Sequence, residues 1–139
     1  MLGMNQACNT RSIYRFEQNA FKFHDFGKMR SIDELRNIAA KLWNTKNRRK
    51  TRKLEIVCGR GSKYNGRYLS YCQEINKNKI RIVLSRNQRD IVTLIHEIVH
   101  AQGYDDHCER FVRKVLFYLS YMGYNRSDLR TLAKEYKIL

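Results

Sequence analysis

The sequence predicts an α+β fold, a small domain in which one helix precedes a three-stranded, mostly antiparallel sheet and further helices follow it. Three observations carry that prediction. Apolar residues recur at helical spacing between positions 32 and 43, strand-like runs separated by short polar breaks occupy positions 54 to 85, and helical spacing returns from position 90 onward.

Taken in order, residues 1–30 show no assignable pattern and are read as an N-terminal arm or extension, with residues 31–139 as a single domain. Ser31-Ile32-Asp33-Glu34 is a capping-box pattern, and Leu35, Ile38, Ala39, Leu42 and Trp43 then share one face, which predicts a helix from about Ile32 to Trp43. Strand-like runs cover Leu54 to Cys58, Gly66 to Glu74 and Lys79 to Ser85, with Lys77-Asn78 as a hairpin turn between the last two. Ile91, Leu94, Ile95, Ile98, Val99 and Gln102 predict a mostly buried helix from about Asp90 to Gln102, which Gly103 stops. Phe111, Val112, Val115, Leu116, Tyr118, Leu119 and Met122 suggest a helix packed on it, and Asp128 to Tyr136 a short last one. With no proline in the chain, boundaries fall to glycine, asparagine and capping residues.

The chain's 139 residues, 42% of them hydrophobic, are enough for one real core. No apolar stretch approaches a membrane span, and Met1 to Cys8 lacks a basic start followed by an apolar run, so an intracellular protein with no membrane partner is expected. Cys8, Cys58, Cys72 and Cys108 form no CxxC pair, which argues against a separate zinc knuckle and suits a reducing compartment.

The formal charge of +15 is extreme for this length, and Lys46, Arg48, Arg49, Lys50, Arg52 and Lys53 place six cations in eight residues. Further cations up to Arg89 precede the apolar helix, with Tyr64, Tyr68 and Tyr71 among them. Cations pair with phosphates and exposed tyrosines stack on unpaired bases, so single-stranded or junction-like DNA, or another nucleic acid, is the expected partner. The plainer alternative is a solvated face with its tyrosines packed in a sheet.

One cluster prescribes a chemistry. His96, Glu97 and His100 form an HExxH motif on the apolar helix, where residues four apart lie on one face. Both imidazoles can then reach a single Zn2+ ion, and Glu97 can act as general base toward a bound water. A catalytic zinc needs a third protein ligand. His107 is one candidate and Asp106 the other, the latter giving HExxHxxGxxD, a metzincin-like spacing with Met122 in the place of a Met-turn. Cys108 is adjacent to His107, so the two are not expected to bind together, and His24 reads as a packed or surface residue.

The order helix, strands, HExxH helix, histidine, helix resembles the SprT-like metallopeptidases, the family that includes Spartan. The resemblance covers about Ser31 to Leu119. It rests on Asp33 to Trp43 as the first helix, on Gly66-Arg67-Tyr68 opening a strand that leads through Ile80 to Ser85, on Leu94-Ile95-His96-Glu97-Ile98-Val99-His100-Ala101, and on the His-x-x-x-Phe spacing of His107 and Phe111. The family's Gly-Pro after the third histidine is Cys108-Glu109 here, and its C-terminal four-cysteine zinc ribbon is missing. The resemblance implies a zincin-like fold, His107 as third ligand, Phe111 as a packing residue, and a zinc-dependent protease acting on proteins bound to DNA. It also admits a viral or phage origin.

The resulting expectation is a zinc metalloendopeptidase of HExxH type with a protein or peptide substrate, cut through Glu97 and a metal-activated water. Tyr104 and Arg110 are candidate transition-state stabilisers by sequence proximity, and the strand Lys79 to Ser85 is a candidate edge for an extended substrate. Two alternatives stand beside it: a nucleic-acid-binding or virion-associated protein with a structural zinc site, and a metzincin-like peptidase using Asp106.

Overall fold

Capping and turn residues set most of the boundaries. The computed structural model describes residues 10–64 and 66–139; Met1 to Asn9, including Cys8, together with Asn65 and the side chain of Tyr64, lie outside the described residues. Helix α1 is α-helical over residues 10–15 and continues as a π-helical turn over Phe16–Ala20. A 3-10 turn, Asp25–Gly27, follows, with His24 Nδ1 accepting from the Phe26 amide at 3.0 Å. Ser31 Oγ then accepts from the Glu34 amide at 3.2 Å and starts α2, Ile32–Trp43.

The strands are β1 Lys53–Cys58, β2 Ser62–Tyr64, β3 Arg67–Leu69, β4 Tyr71–Asn76 and β5 Lys79–Leu84. Three of them form a sheet of order β1-β5-β4, in which β1 runs parallel to β5 and β4 antiparallel to it, while β2 and β3 form a separate antiparallel pair. Lys77-Asn78 makes the turn between β4 and β5, with Asn76 paired to Lys79. The expected strand from Gly66 to Glu74 is two strands. It divides at Ser70, whose amide donates to Gln88 Oε1 at 2.6 Å and whose Oγ accepts from the Ser85 amide at 2.9 Å, side-chain bonds that stand in for ladder bonds.

The strand from Lys79 to Ser85, a candidate edge from the sequence, is instead the central one. β5 is hydrogen-bonded on both sides, so its backbone cannot receive a further strand. Ile80, Ile82, Val83 and Leu84 are all buried, the near-continuous apolar run of a central strand. The free edges belong to β1 and β4.

Helices α3 Ile91–Ala101, α4 Glu109–Tyr121 and α5 Arg126–Glu135 complete the chain. α3 packs against β4, β5, α2 and α4, and α5 touches both α4 and the π turn of α1. One buried cluster runs from Leu35 and Leu42 through Ile82 and Ile95 to Phe111 and Leu119, and Ile13, Phe16, Phe21 and Phe26 belong to it. The described part of residues 1–30, read from the sequence as an arm, is therefore integrated into the domain. A π turn lengthens the repeat to five residues, as between Phe16 and Phe21, so no α-helical period was visible there. No helix among the described residues is long and apolar enough to cross a membrane.

Candidate metal centre

Asp90 caps α3, its Oδ1 accepting from the Thr93 amide at 2.8 Å. Ile91, Leu94, Ile95, Ile98 and Val99 then bury the helix among its neighbours, and the four-residue spacing turns His96 and His100 to one side. Gly103, at φ 107°, ends the helix in the left-handed region that glycine favours and sends the chain back so that His107 meets the pair. The three Nε2 atoms form a triangle with edges of 3.1 Å (His96 to His100), 3.1 Å (His100 to His107) and 3.3 Å (His96 to His107). These histidines lie close enough to hold one metal ion, and they are the one such group of three among the described residues. Tetrahedral coordination with metal–nitrogen bonds of about 2.0–2.1 Å spaces its nitrogens about 3.4 Å apart, so the triangle has nearly the required size.

Each imidazole is fixed from behind. Nδ1 of His96 lies 2.5 Å from Glu17 Oε2, Nδ1 of His100 lies 2.7 Å from the Tyr104 carbonyl oxygen, and Nδ1 of His107 lies 3.0 Å from Thr10 Oγ1. The Tyr104 carbonyl can only accept, which places the His100 proton on Nδ1 and a lone pair on Nε2; an ionised Glu17 and the Thr10 hydroxyl can accept in the same way from His96 and His107, giving the tautomer a metal requires. Phe111 backs all three rings, with centroid separations of 4.9, 4.6 and 4.9 Å to His96, His100 and His107. Tyr14 stacks on His96 at 5.6 Å and meets His107 edge-on at 5.7 Å.

Burial sets the protonation states. It lowers the pKa of His96 to about 3, and burial followed by the neighbouring imidazoles lowers His107 to about 3 and His100 to about 4. All three are neutral at physiological pH, ready to ligate without first losing a proton. Burial raises the Glu17 and Glu97 carboxyls well above the usual range, with the Glu17 charge adding to the effect on Glu97. A cation at the three nitrogens would act against that shift and favour both carboxylates. Glu97 lies with His96, His100, Tyr14 and Tyr71 around an open cavity of about 300 Å³, into which the first residues of β4 project.

The other residues singled out from sequence divide. Asp106 is exposed and stands outside the three-histidine group, as does Cys108, a free cysteine at the start of α4. Tyr104 contributes its carbonyl to His100, while its ring lies 5.9 and 6.0 Å from the guanidinium carbons of Arg48 and Arg110, and neither Tyr104 nor Arg110 lines the Glu97 cavity. The basic segment is partly absorbed by the fold. Arg49 donates to the Ala101 carbonyl at 3.4 Å, at the end of α3 where the helix dipole favours a cation, and Arg52 pairs with Glu74 at 2.9 Å. Lys46 sits 4.8 Å from the Phe117 ring centroid, and Lys50 and Lys53 are exposed. His24 packs on Phe21, Phe26 and Tyr124, away from the other histidines.

Sequence reasoning missed Thr10, Tyr14 and Glu17. They stand at i, i+4 and i+7 on α1, a spacing that puts them on one helical face, but nothing links that face to a motif 79 residues further on. No family model, no curated protein and no solved structure matches the chain.

Proposed function

We propose that the chain is a zinc-dependent metalloendopeptidase of HExxH type, with the zincin-like architecture of the SprT-like proteins. The observation that carries this reading is the convergence of three Nε2 atoms within 3.1 to 3.3 Å, with every Nδ1 already engaged and Glu97 beside them in an open cavity. A closed structural site has a fourth protein ligand, whereas three converging histidines, two of which line an open cavity, suit catalysis. Bound there, zinc supplies Lewis acidity toward a water and a peptide carbonyl.

The chain's own residues do the rest. Glu97 takes the proton of the attacking water and passes it to the departing amine nitrogen. Glu17, Thr10 and the Tyr104 carbonyl keep the imidazoles oriented through that exchange. β4 offers its free edge next to the cavity, where an extended substrate can add by main-chain hydrogen bonds and side-chain selectivity is correspondingly loose.

The test is hydrolysis of an unfolded protein by the zinc-loaded chain beside Glu97→Gln. The variant is expected to keep its zinc and lose about 10³-fold in rate, within the range assigned to general-base catalysis. Retained cleavage by that variant sinks the mechanism.

The net charge of +15 supports a substrate found on nucleic acid, DNA included, and it also favours the second reading, a nucleic-acid-binding or virion-associated protein with a structural zinc. Zinc retention and DNA binding without any hydrolysis would select that second reading.

A further inference from the structure

Next to the metal cavity lies a larger cleft of about 990 Å³, and Tyr14 lines both. Around it stand Lys22, Arg60, Arg67, Arg86 and Arg89. None of these five is ion-paired among the described residues. Lys22, Arg60, Arg67 and Arg86 are exposed, and Arg89 Nε is buried without a hydrogen-bond partner. The two carboxylates in the same lining are already occupied, Glu17 on His96 and Asp90 on the Thr93 amide and hydroxyl. The cleft therefore holds an uncompensated positive charge in a partly enclosed space, where electrostatic attraction is stronger than on an open surface.

The opposite flank is different. There Arg48, Arg110, Arg130 and Lys134 are interspersed with the exposed carboxylates of Asp105 and Asp106, and Asp105 also borders the metal cavity. The metal site thus has the cleft of unpaired cations on one side and, on the other, a surface where cations and carboxylates are mixed. Continuity identifies what enters from the cationic side. Arg67, Tyr68 and Leu69 line the cleft and Ser70, Tyr71 and Cys72 line the cavity, so a strand laid along the free edge of β4 has one of its ends at the cluster of cations.

We propose that this cleft holds an acidic segment of the substrate polypeptide, taking aspartate or glutamate side chains on one side of the bond to be cut. The proposal rests on the peptidase reading and gives that substrate a chemical character. Arg60 and Arg67 flank the approach, and Arg60 lies over the Tyr68 ring with its guanidinium carbon 5.6 Å from the centroid, which holds it in place.

The experiment uses the zinc-loaded Glu97→Gln chain, which binds without cutting, and reads fluorescence anisotropy of three labelled probes: a peptide of alternating glutamate and alanine, its lysine counterpart, and an oligothymidylate. The acidic peptide should bind at least about tenfold tighter than the basic one, and Arg60→Glu with Arg67→Glu should remove about tenfold of that affinity. Arg86→Glu alone should act in the same direction, and Lys41→Glu, on the far exposed face of α2, should not. Equal binding of the two peptides, or equal loss from Lys41→Glu, overturns the proposal. So does an oligothymidylate that binds tighter than the acidic peptide and is lost through the same reversals, because the cleft then belongs to nucleic acid. Cleavage by the wild type is scored separately: if the acidic peptide binds as described and no peptide is cut, the cleft's ligand stands and the peptidase reading falls.

Discussion

α3 and α1 both build the candidate metal centre, and they do so in opposite ways. α3 contributes His96, Glu97 and His100 through a spacing that any right-handed helix converts into a shared face. α1 contributes Thr10 and Glu17 through contacts with His107 and His96 that exist only once the chain has folded back over 97 and 79 residues. Donor atoms are prescribed locally here, while the groups that orient them are recruited globally. The first kind of residue sets which ion can bind, and the second sets how firmly and in which tautomer.

Mutations test that division. The largest effect should come from His100→Ala, which removes a donor of the triangle and should abolish stoichiometric zinc in the purified chain by metal analysis. Glu17→Ala should come next, weakening zinc about 10- to 100-fold in a chelator competition while leaving one ion per chain at saturation. If Glu17→Ala emptied the site as fully as His100→Ala, the line between donors and orienting groups would not hold. Thr10→Val removes one neutral hydrogen bond worth about 1 kcal/mol, so a loss of about fivefold in the same competition is expected. A loss as large as that of Glu17→Ala would mean that the hydroxyl does more than hold His107.

Acid tests the same division from the side of the protein's own protons. His96 and His107 titrate near 3 and His100 near 4 in the metal-free fold, against 6.5 for an ordinary imidazole. A depressed imidazole pKa contributes stability that is complete above the unfolded value and is lost as pH falls toward the folded one, because the unfolded chain then binds more protons. The metal-free chain should therefore lose stability between about pH 6.5 and 3 from this source, readable as a falling thermal midpoint. Glu17 and Glu97, with raised pKa values, act in the other sense and cost stability as pH rises above 4.5, their unperturbed value. In the metal-free chain the three imidazoles should accordingly show no midpoint at 6.5 in an NMR titration, and ring titration centred at 6.5 would show that the rings are not held neutral by burial.

Much of the fold could be read in advance, for reasons that differ by element. α2 announces itself through a cap and periodic apolar residues and α3 through its apolar residues alone; Ser31 does cap α2, and the structure adds Asp90 as the cap of α3. The turn at Lys77-Asn78 was legible for a similar local reason. The parallel pairing of β1 with β5 was not, since parallel strands are joined through distant chain and carry no turn signature between them. Neither was the break at Ser70, because a serine that replaces ladder bonds looks like any polar residue in an alternating strand. In the candidate metal centre the spacing of His96, Glu97 and His100 was legible, while Glu17 was not, because the ring it meets lies 79 residues further along the chain.

The reach of the Glu17 and Thr10 contacts has a consequence for the order in which the molecule opens. An ion held by the three imidazoles would draw α1 onto α3 through His96 and His107, although no residue of α1 touches that ion. Local unfolding of the chain's first described segment would then be coupled to chelation, so that amide hydrogens of residues 10–20 would exchange with solvent more slowly in the loaded protein than in the empty one. The beginning of the chain would report on an ion bound near its end.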